Sequence, residues 1–493
     1  MIAMALSRLV ISTGITLLFA CGSKPKQGEP DAELPVADAC NDLFCAVVDC
    51  TAKGLPPTTV TGTVFAPNGT LPLFGVNVYV PSSDPGPLPE GVQCDRCGTL
   101  QGGSITSTTT DEAGNFRLEN VPATADVPIV IQSGKWRRQF KISTVAACQD
   151  NPAAKVDTTL PKNRSEGDIP KIAITTGNAD ALECLVRKMG IEDTEFGTGT
   201  EDTAVHLYQG NGANKFAATH PGGARNFAPA KPFWDSRAVL DTYDIVLLSC
   251  EGDQLINGTG NIAGVNDKPQ TSLQALHDYA GAGGRVFMSH WHNVWISGDR
   301  TNPTNPAYGM ADWKAIFNWA FGASQTNAAQ ITTVDESTVT PPAVIGGLPN
   351  PKGTSFATWL MNVGASTTRN EVSVTSPRYT APSIANPPLA ERWVYVDPAR
   401  SITTIPGSNP AQPQSSVQDA LFTTPLDVAP EQRCGKVVFS DMHVASGSTS
   451  NANNPFPGTG VNNNGCSTAE LTPQEKALAF IFFDISTCVG ILQ

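Results

Sequence analysis

The sequence predicts a multidomain chain. An N-terminal all-β sandwich is followed by a C-terminal α/β half, a doubly wound sheet carrying an inserted irregular/β subdomain. Three observations predict this. The chain has 493 residues, too many for one ordinary core. Residues 58–160 hold short alternating runs spaced by Gly, Pro and Asn turns. From about Lys171 onward, short apolar runs alternate with segments of helical spacing.

Composition narrows the class. Only 16% of residues are charged, while Gly (44) and Pro (39) are plentiful, which fits a loop-rich globular protein of exported type. The net charge of −13 and the lack of any basic stripe exclude nucleic acid as a partner, because phosphate binding needs clustered Lys and Arg.

Residues 1–20 read as a targeting segment. Arg8 supplies the positive region and Leu9–Ala20 the apolar one, too short and singular for a spanning helix. Leu18-Phe19-Ala20-Cys21 resembles the lipobox of bacterial lipoproteins. That resemblance implies cleavage before Cys21, lipidation of Cys21, and an exported chain held to a membrane. With Gly22 next, it implies an outer-membrane address in a Gram-negative host, on the periplasmic face or the cell surface. Residues 21–57, rich in Pro and charge, read as a tether.

An exported chain lives where disulfides persist. Setting Cys21 aside from the 12 cysteines leaves an odd number, so at least one is free or pairs between molecules. Cys94-Asp-Arg-Cys97 has CxxC spacing with no second CxxC, which favours a disulfide or loop staple over zinc. Cys45 and Cys50 read as structural.

In the β half, Thr59–Phe65, Gly75–Val80, Thr106–Thr110, Phe116–Leu118, Val127–Gln132 and Arg138–Ile142 read as strands. Pro67-Asn68-Gly69 and Asp111–Asn115 mark turns. The pieces TGTVFAPNGTLPLFGVNVYV and TTTDEAGNFRLENVP resemble the carboxypeptidase regulatory-like, transthyretin-like module. The resemblance implies a spacer or interaction platform, reached here with a Pro/Gly-rich insertion at Ser82–Gly103.

In the α/β half, Lys171–Thr176, Ala204–Tyr208, Ile245–Leu248, Val286–Met288 and Lys436–Ser440 read as buried strands. Helices are expected over Asp180–Met189, Trp234–Leu240, Ser272–Ala282, Asp312–Phe321 and Leu471–Ile485. The last has Thr472 as N-cap, Pro473 at its first position and Glu475 in its first turn. The Thr/Pro/Asn-rich residues 326–429, with strands at Gln330–Val334, Glu371–Val374 and Arg392–Val396, read as an insertion.

The pieces TYDIVLLSCEGDQ, LQALHDYAGAGGRVFMSHWHN and CGKVVFSDMHVASG resemble the ThuA-like branch of the class I glutamine-amidotransferase-like, flavodoxin-like fold. The resemblance covers residues 170–325 and 430–488. In amidotransferases a cysteine occupies a Gly-flanked elbow after the corresponding strand. Here the elbow reads Met288-Ser289-His290-Trp291-His292, so glutaminase chemistry by a cysteine is not expected there.

Ligands of open α/β sheets gather at the carboxyl ends of the strands. Glu251, His290, His292, Asp441 and His443 occupy those ends and form the candidate catalytic set. His290 and His292, two apart, would share a face if they extend a strand; Asp441 and His443, and Glu251 and Asp253, have the same spacing. His290, His292 and His443 are candidate ligands for a divalent metal such as zinc, and the same groups suit general acid–base work. Cys250 is a nucleophile only if His290 lowers its pKa; a disulfide, with Cys184 for example, or a buried small hydrophobe is preferred. Trp291 and Trp295 either stack on a sugar or cover the cleft.

Three functions remain. The first is a lipid-anchored, non-catalytic envelope protein that binds a ligand or partner, such as an envelope protein or a carbohydrate, through a degenerate amidotransferase-like half. The second is a hydrolase or carbohydrate-modifying enzyme using the His/Asp set. The third is a structural envelope spacer.

Overall fold

A computed structural model describes residues 42–95, 98, 100–256, 262–337, 346–444, 447–448, 455–461 and 464–489. The signal segment, Cys21, Cys40 and Cys97 of the CxxC pair lie outside the described residues. The protein is a mixed α/β chain with several sheets.

Among the described residues the largest sheet has eleven strands. At its centre five strands run parallel, in the order Val205–Gln209, Ile172–Thr175, Ile245–Leu248, Arg285–Ser289, Gly435–Ser440. Numbered along the chain, that order is 2-1-3-4-5. Each central strand is buried along almost its whole length, because both faces are covered. Alternate residues go to opposite sides. Ile172, Ile174, Ile245, Leu247, Phe287 and Val438 join one core. Ala173, Val246, Leu248, Val286, Met288 and Phe439 join the other, with Leu276 and Tyr279 of the helix Gln270–Gly281.

The sheet continues beyond Gly435–Ser440 through antiparallel strands Ser416–Thr424, Glu391–Val396, Gln330–Val334 and Glu371–Val374. Residues 326–429 therefore extend the α/β sheet by main-chain hydrogen bonding. Periodicity gave no sign of Ser416–Thr424, whose residues are almost all buried, nor of the helix Gly353–Asn362.

Residues 58–160 form a four-stranded sheet (Asn77–Val80, Thr106–Thr109, Ala125–Ser133, Trp136–Thr144) and a three-stranded one (Thr59–Thr63, Asn115–Glu119, Asp150–Pro152). Their inward residues, Val60, Val78, Leu118 and Ile129 among them, share one core with the helix Pro473–Ser486. That helix is buried nearly all round, as an element enclosed on every side must be. Its start follows the sequence: Thr472 and Glu475 form a capping box with Pro473 at the first position. Phe74 stacks on Phe480 at 6.0 Å and Trp136 meets Phe483 at 5.7 Å, joining the β-rich half to the sheet.

The Ser82–Gly103 insertion clasps the amino ends of the parallel strands. Val92 N–H donates to Asp241 O at 2.9 Å, and Lys135 holds Asp244 at 2.5 Å. Cys94 bonds Cys434 just before the last parallel strand. Cys184 bonds Cys466, and Cys50 bonds Cys148. These crosslinks fit an oxidising, exported environment. Among the described residues, no helix is long and apolar enough to cross a membrane.

Three local expectations change. The tether expected through Pro57 gives way at Leu43, where residues Leu43–Gln493 begin one unit, because Cys50 is bonded to the β-rich half. Trp234–Leu240 is two short helices, Ala230–Trp234 and Arg237–Leu240, the second restarted by the Ser236 side chain accepting from Val239 N–H. The helix expected over Asp312–Phe321 stops at Lys314. Phe317–Asn318 instead pairs with Ser383–Ile384, and Phe317 and Trp319 pack on Phe439.

Candidate functional site

Four loops meet at the carboxyl ends of the parallel strands. Asp180 follows Ile172–Thr175, Cys250 and Glu251 follow Ile245–Leu248, His290 follows Arg285–Ser289, and Asp441 and His443 follow Gly435–Ser440. The approach is close at the switch between the first and third strands: a Cβ on Gly177 would lie 2.3 Å from Cys250 O.

His290 sits at a strand-to-helix elbow with φ 39°, and a 3-10 turn His290–Asn293 follows. A non-glycine residue in the left-handed region costs on the order of 1–3 kcal/mol and persists where the surroundings hold it. His290 is held from both sides. Its Nδ1 lies 2.9 Å from His443 Nε2 and 3.5 Å from Cys250 Sγ. Its Nε2 faces Asp441 Oδ1 at 3.9 Å and makes no hydrogen bond.

Proton positions follow from one fixed donor. Arg378 Nη2 lies 3.2 Å from His443 Nδ1, and a guanidinium only donates. His443 Nδ1 therefore accepts, His443 Nε2 carries the proton and donates to His290 Nδ1, and the neutral His290 carries its proton on Nε2, toward Asp441. Burial, with Arg378 adding to it, pushes His443 down to about 3. Burial pushes His290 well below the usual imidazole range, with His443 and Arg378 adding to the effect. Both rings are neutral at pH 7.

The carboxylates are anchored. Asp441 accepts from Thr380 N–H and Thr380 Oγ1, each at 2.7 Å, and burial raises it to about 6. Asp180 accepts from Ser289 Oγ and from Val444 N–H, and burial raises it to about 7. Cys250 is the free cysteine among the described residues, fully buried, and burial pushes its thiol far up. It is not bonded to Cys184, which is tied to Cys466.

The candidate set thus divides. His290, His443 and Asp441 come together, joined by Cys250. His292 and Glu251 form a second group. The 3-10 turn at His290 ends the strand's alternation, so His290 and His292 do not point the same way. His292 Nδ1 accepts from Trp295 Nε1 at 2.8 Å, and its Nε2 lies 3.7 Å from Glu251 Oε2. Glu251 is bonded to Lys268 at 2.5 Å and to Asn266 at 3.3 Å. Lys268 lies over the Trp234 ring at 5.0 Å. Asp253 pairs outward with Arg300. Trp295 is buried against Trp234, whereas Trp291 lies under the Arg300 guanidinium, 5.0 Å from its ring centre.

For a metal, the donor set differs from the three histidines of the sequence reading. Cys250, His290 and His443 each offer a ligand atom within 4.8 Å of the others, with His290 Nδ1 3.5 Å from Cys250 Sγ and 2.9 Å from His443 Nε2, and His292 is not among them. Sequence reasoning also missed Asp180, Arg378 and Lys268. Asp180 had a signal, its place just beyond the first parallel strand. Arg378 had none, since it arrives from residues read as an insertion.

No protein-family model and no curated protein matches the chain. Among solved structures, a protein from Bacteroides uniformis described as ThuA-like is similar at 11% identity, covering 64% of this chain and 91% of that one, with a TM-score of 0.28. A mutant type II cohesin–X-dockerin complex from Acetivibrio cellulolyticus is similar at 16% identity over 29% of this chain and 78% of that one, with a TM-score of 0.15.

Proposed function

We propose that this chain is an exported, lipid-anchored envelope protein that binds at the strand ends of its α/β half without turning a substrate over. The central strand order 2-1-3-4-5 supports a flavodoxin-like reading, and the two sheets of residues 58–160 support a carboxypeptidase regulatory-like sandwich serving as platform. One observation carries the absence of turnover: the chain Arg378–His443–His290 leaves no imidazole lone pair free. A general base needs such a lone pair and a pKa near the working pH. His443 has neither, and the Cys250 thiol is held protonated, far from a nucleophile. The buried, strained elbow holds a polar cluster in place, which suits recognition.

The test uses mature protein beginning at Cys21. It is offered nitrophenyl esters, nitrophenyl glycosides and glutamine, beside a His290→Ala variant. Rates for the two proteins should coincide for every substrate. Hydrolysis or ammonia release that falls in the variant would overturn the reading. Labelling with a radioactive fatty acid should be lost in Cys21→Ser.

A further inference from the structure

Cys250, His290 and His443 form a buried cluster at the strand ends. Their exposures are 0%, 3% and 9%, so solvent hardly reaches them. The other cysteines of the described residues are all disulfide-bonded, yet Cys250 stays reduced in a chain built for an oxidising compartment. A thiol and two imidazole nitrogens whose ligand atoms lie within 4.8 Å form a compact three-donor set. We infer that Cys250 Sγ, His290 Nδ1 and His443 Nε2 bind one soft monovalent cation of the Cu(I) class. This rests on the binding reading of the strand-end site and names its ligand.

Donor softness comes first. Thiolate with imidazole selects Cu(I) and zinc over oxygen-loving ions. Coordination number then separates the two. Zinc takes four ligands, or three and a water, whereas Cu(I) is satisfied by three. The cluster offers three ligand atoms in a place almost closed to solvent.

Charge points the same way. Binding removes the Cys250 proton, and the thiolate cancels a monovalent ion. A divalent ion would need a second anion to balance it, and the carboxylate that faces the cluster, Asp441 at 3.9 Å from His290 Nε2, is already taken up by Thr380 N–H and Thr380 Oγ1. The proton on His443 Nε2 moves to Nδ1 as the metal takes its place, and Arg378 gives way there. Arg378 keeps acceptors elsewhere, Thr326 O at 2.7 Å and Asn327 Oδ1 at 3.0 Å. One proton therefore leaves per ion bound, and no electron is transferred.

His290 also has a carboxylate on its far side, where a ligating histidine finds its outer partner. Such a ring donates its second N–H to a carboxylate or carbonyl, which fixes its tautomer. His290 Nε2, buried and without a hydrogen bond, faces Asp441 Oδ1 at 3.9 Å. Asp441 is itself fixed by Thr380. The left-handed backbone at His290 aims Nδ1 into the cluster before any ion arrives.

The experiment titrates tag-free mature protein, disulfides intact and oxygen excluded, against the Cu(I)–bicinchoninate complex. A parallel titration uses Zn²⁺ with a competing indicator. One Cu(I) per chain should leave the chelator, with one proton released. Cys250→Ser and His443→Gln should each lower affinity at least about a hundredfold, more than loss of an outer partner costs. Arg378→Met should tighten Cu(I) binding, a direction no loss of fold produces. His277→Gln, on a remote helix, should change nothing.

No uptake of Cu(I) by folded protein overturns the inference, as does uptake unchanged in Cys250→Ser. Zn²⁺ bound more tightly than Cu(I) through the same residues overturns the monovalent assignment but leaves the binding reading intact. Failure of that reading shows separately, as His290-dependent turnover in the substrate assay whether or not copper is bound.

Discussion

Replacing Lys268 by Met tests whether Glu251 is a structural anchor. Lys268 Nζ and Glu251 Oε2 are 2.5 Å apart, and each side chain is 1% exposed, so solvent screening does not weaken the pair. Burial raises the Glu251 carboxyl and Lys268 opposes that rise. Removing one partner of such a pair leaves an uncompensated buried charge and costs about 3–5 kcal/mol. Replacing both partners by neutral groups of similar size is often close to neutral. Lys268→Met should therefore lose about 3–5 kcal/mol at pH 7, while Glu251→Gln/Lys268→Met should recover all but about 1 kcal/mol of it. The deficit of the single variant should shrink as pH falls, because Glu251 without its lysine takes up a proton in the folded state. Urea unfolding with the disulfides oxidised gives these differences, provided circular dichroism and tryptophan fluorescence report one transition. A loss under about 1 kcal/mol in Lys268→Met, or a double variant no better than the single one, would refute the reasoning.

Asp180 makes stability depend on pH. Its folded value, about 7, lies above its ordinary 3.8, so the folded state holds the proton more tightly. Its contribution is greatest below pH 4, is lost as pH rises from about 4 to about 7, and is level above that; the loss is up to about 4 kcal/mol. Asp180→Asn should flatten that part of the pH–stability curve, measured by urea midpoints across pH 4–8. Thr472→Ala removes the cap of Pro473–Ser486 and should cost about 1 kcal/mol in the same assay. Gly283, at φ 123°, has no room for a Cβ, which would lie 2.0 Å from Gln93 O in the clasp. Gly283→Ala should lose at least about 2 kcal/mol. Gly281→Ala, whose Cβ would meet Pro425 at an ordinary 3.8 Å, should be neutral or stabilising by up to about 1 kcal/mol in thermal and urea midpoints.

Much of the fold was legible because its signals are local. The apolar runs at Ile245–Leu248, Arg285–Ser289 and Gly435–Ser440 are buried on both faces, and a strand so placed shows it in its own residues. The cap at Thr472 is equally local. The rule that sites gather at strand ends picked out His290, Asp441 and His443, which meet although 153 residues separate the two histidines. Ser416–Thr424 was missed because its Gln and Asp residues are buried by neighbours distant in sequence.

By itself the sequence determined the central parallel strands, the residues that end them and the capped start of the last helix. Only the tertiary structure decided the composition of the site. Strand order brought Cys250 to His290 and left Cys184 to Cys466. The left-handed turn at His290 sent His292 to Glu251, breaking the two-residue alternation that sequence spacing assumes. Arg378, reaching His443 from a strand extension, set the proton on every ring of the cluster. Periodicity is a property of neighbours along the chain; protonation and ligation depend on neighbours in space, which packing alone supplies.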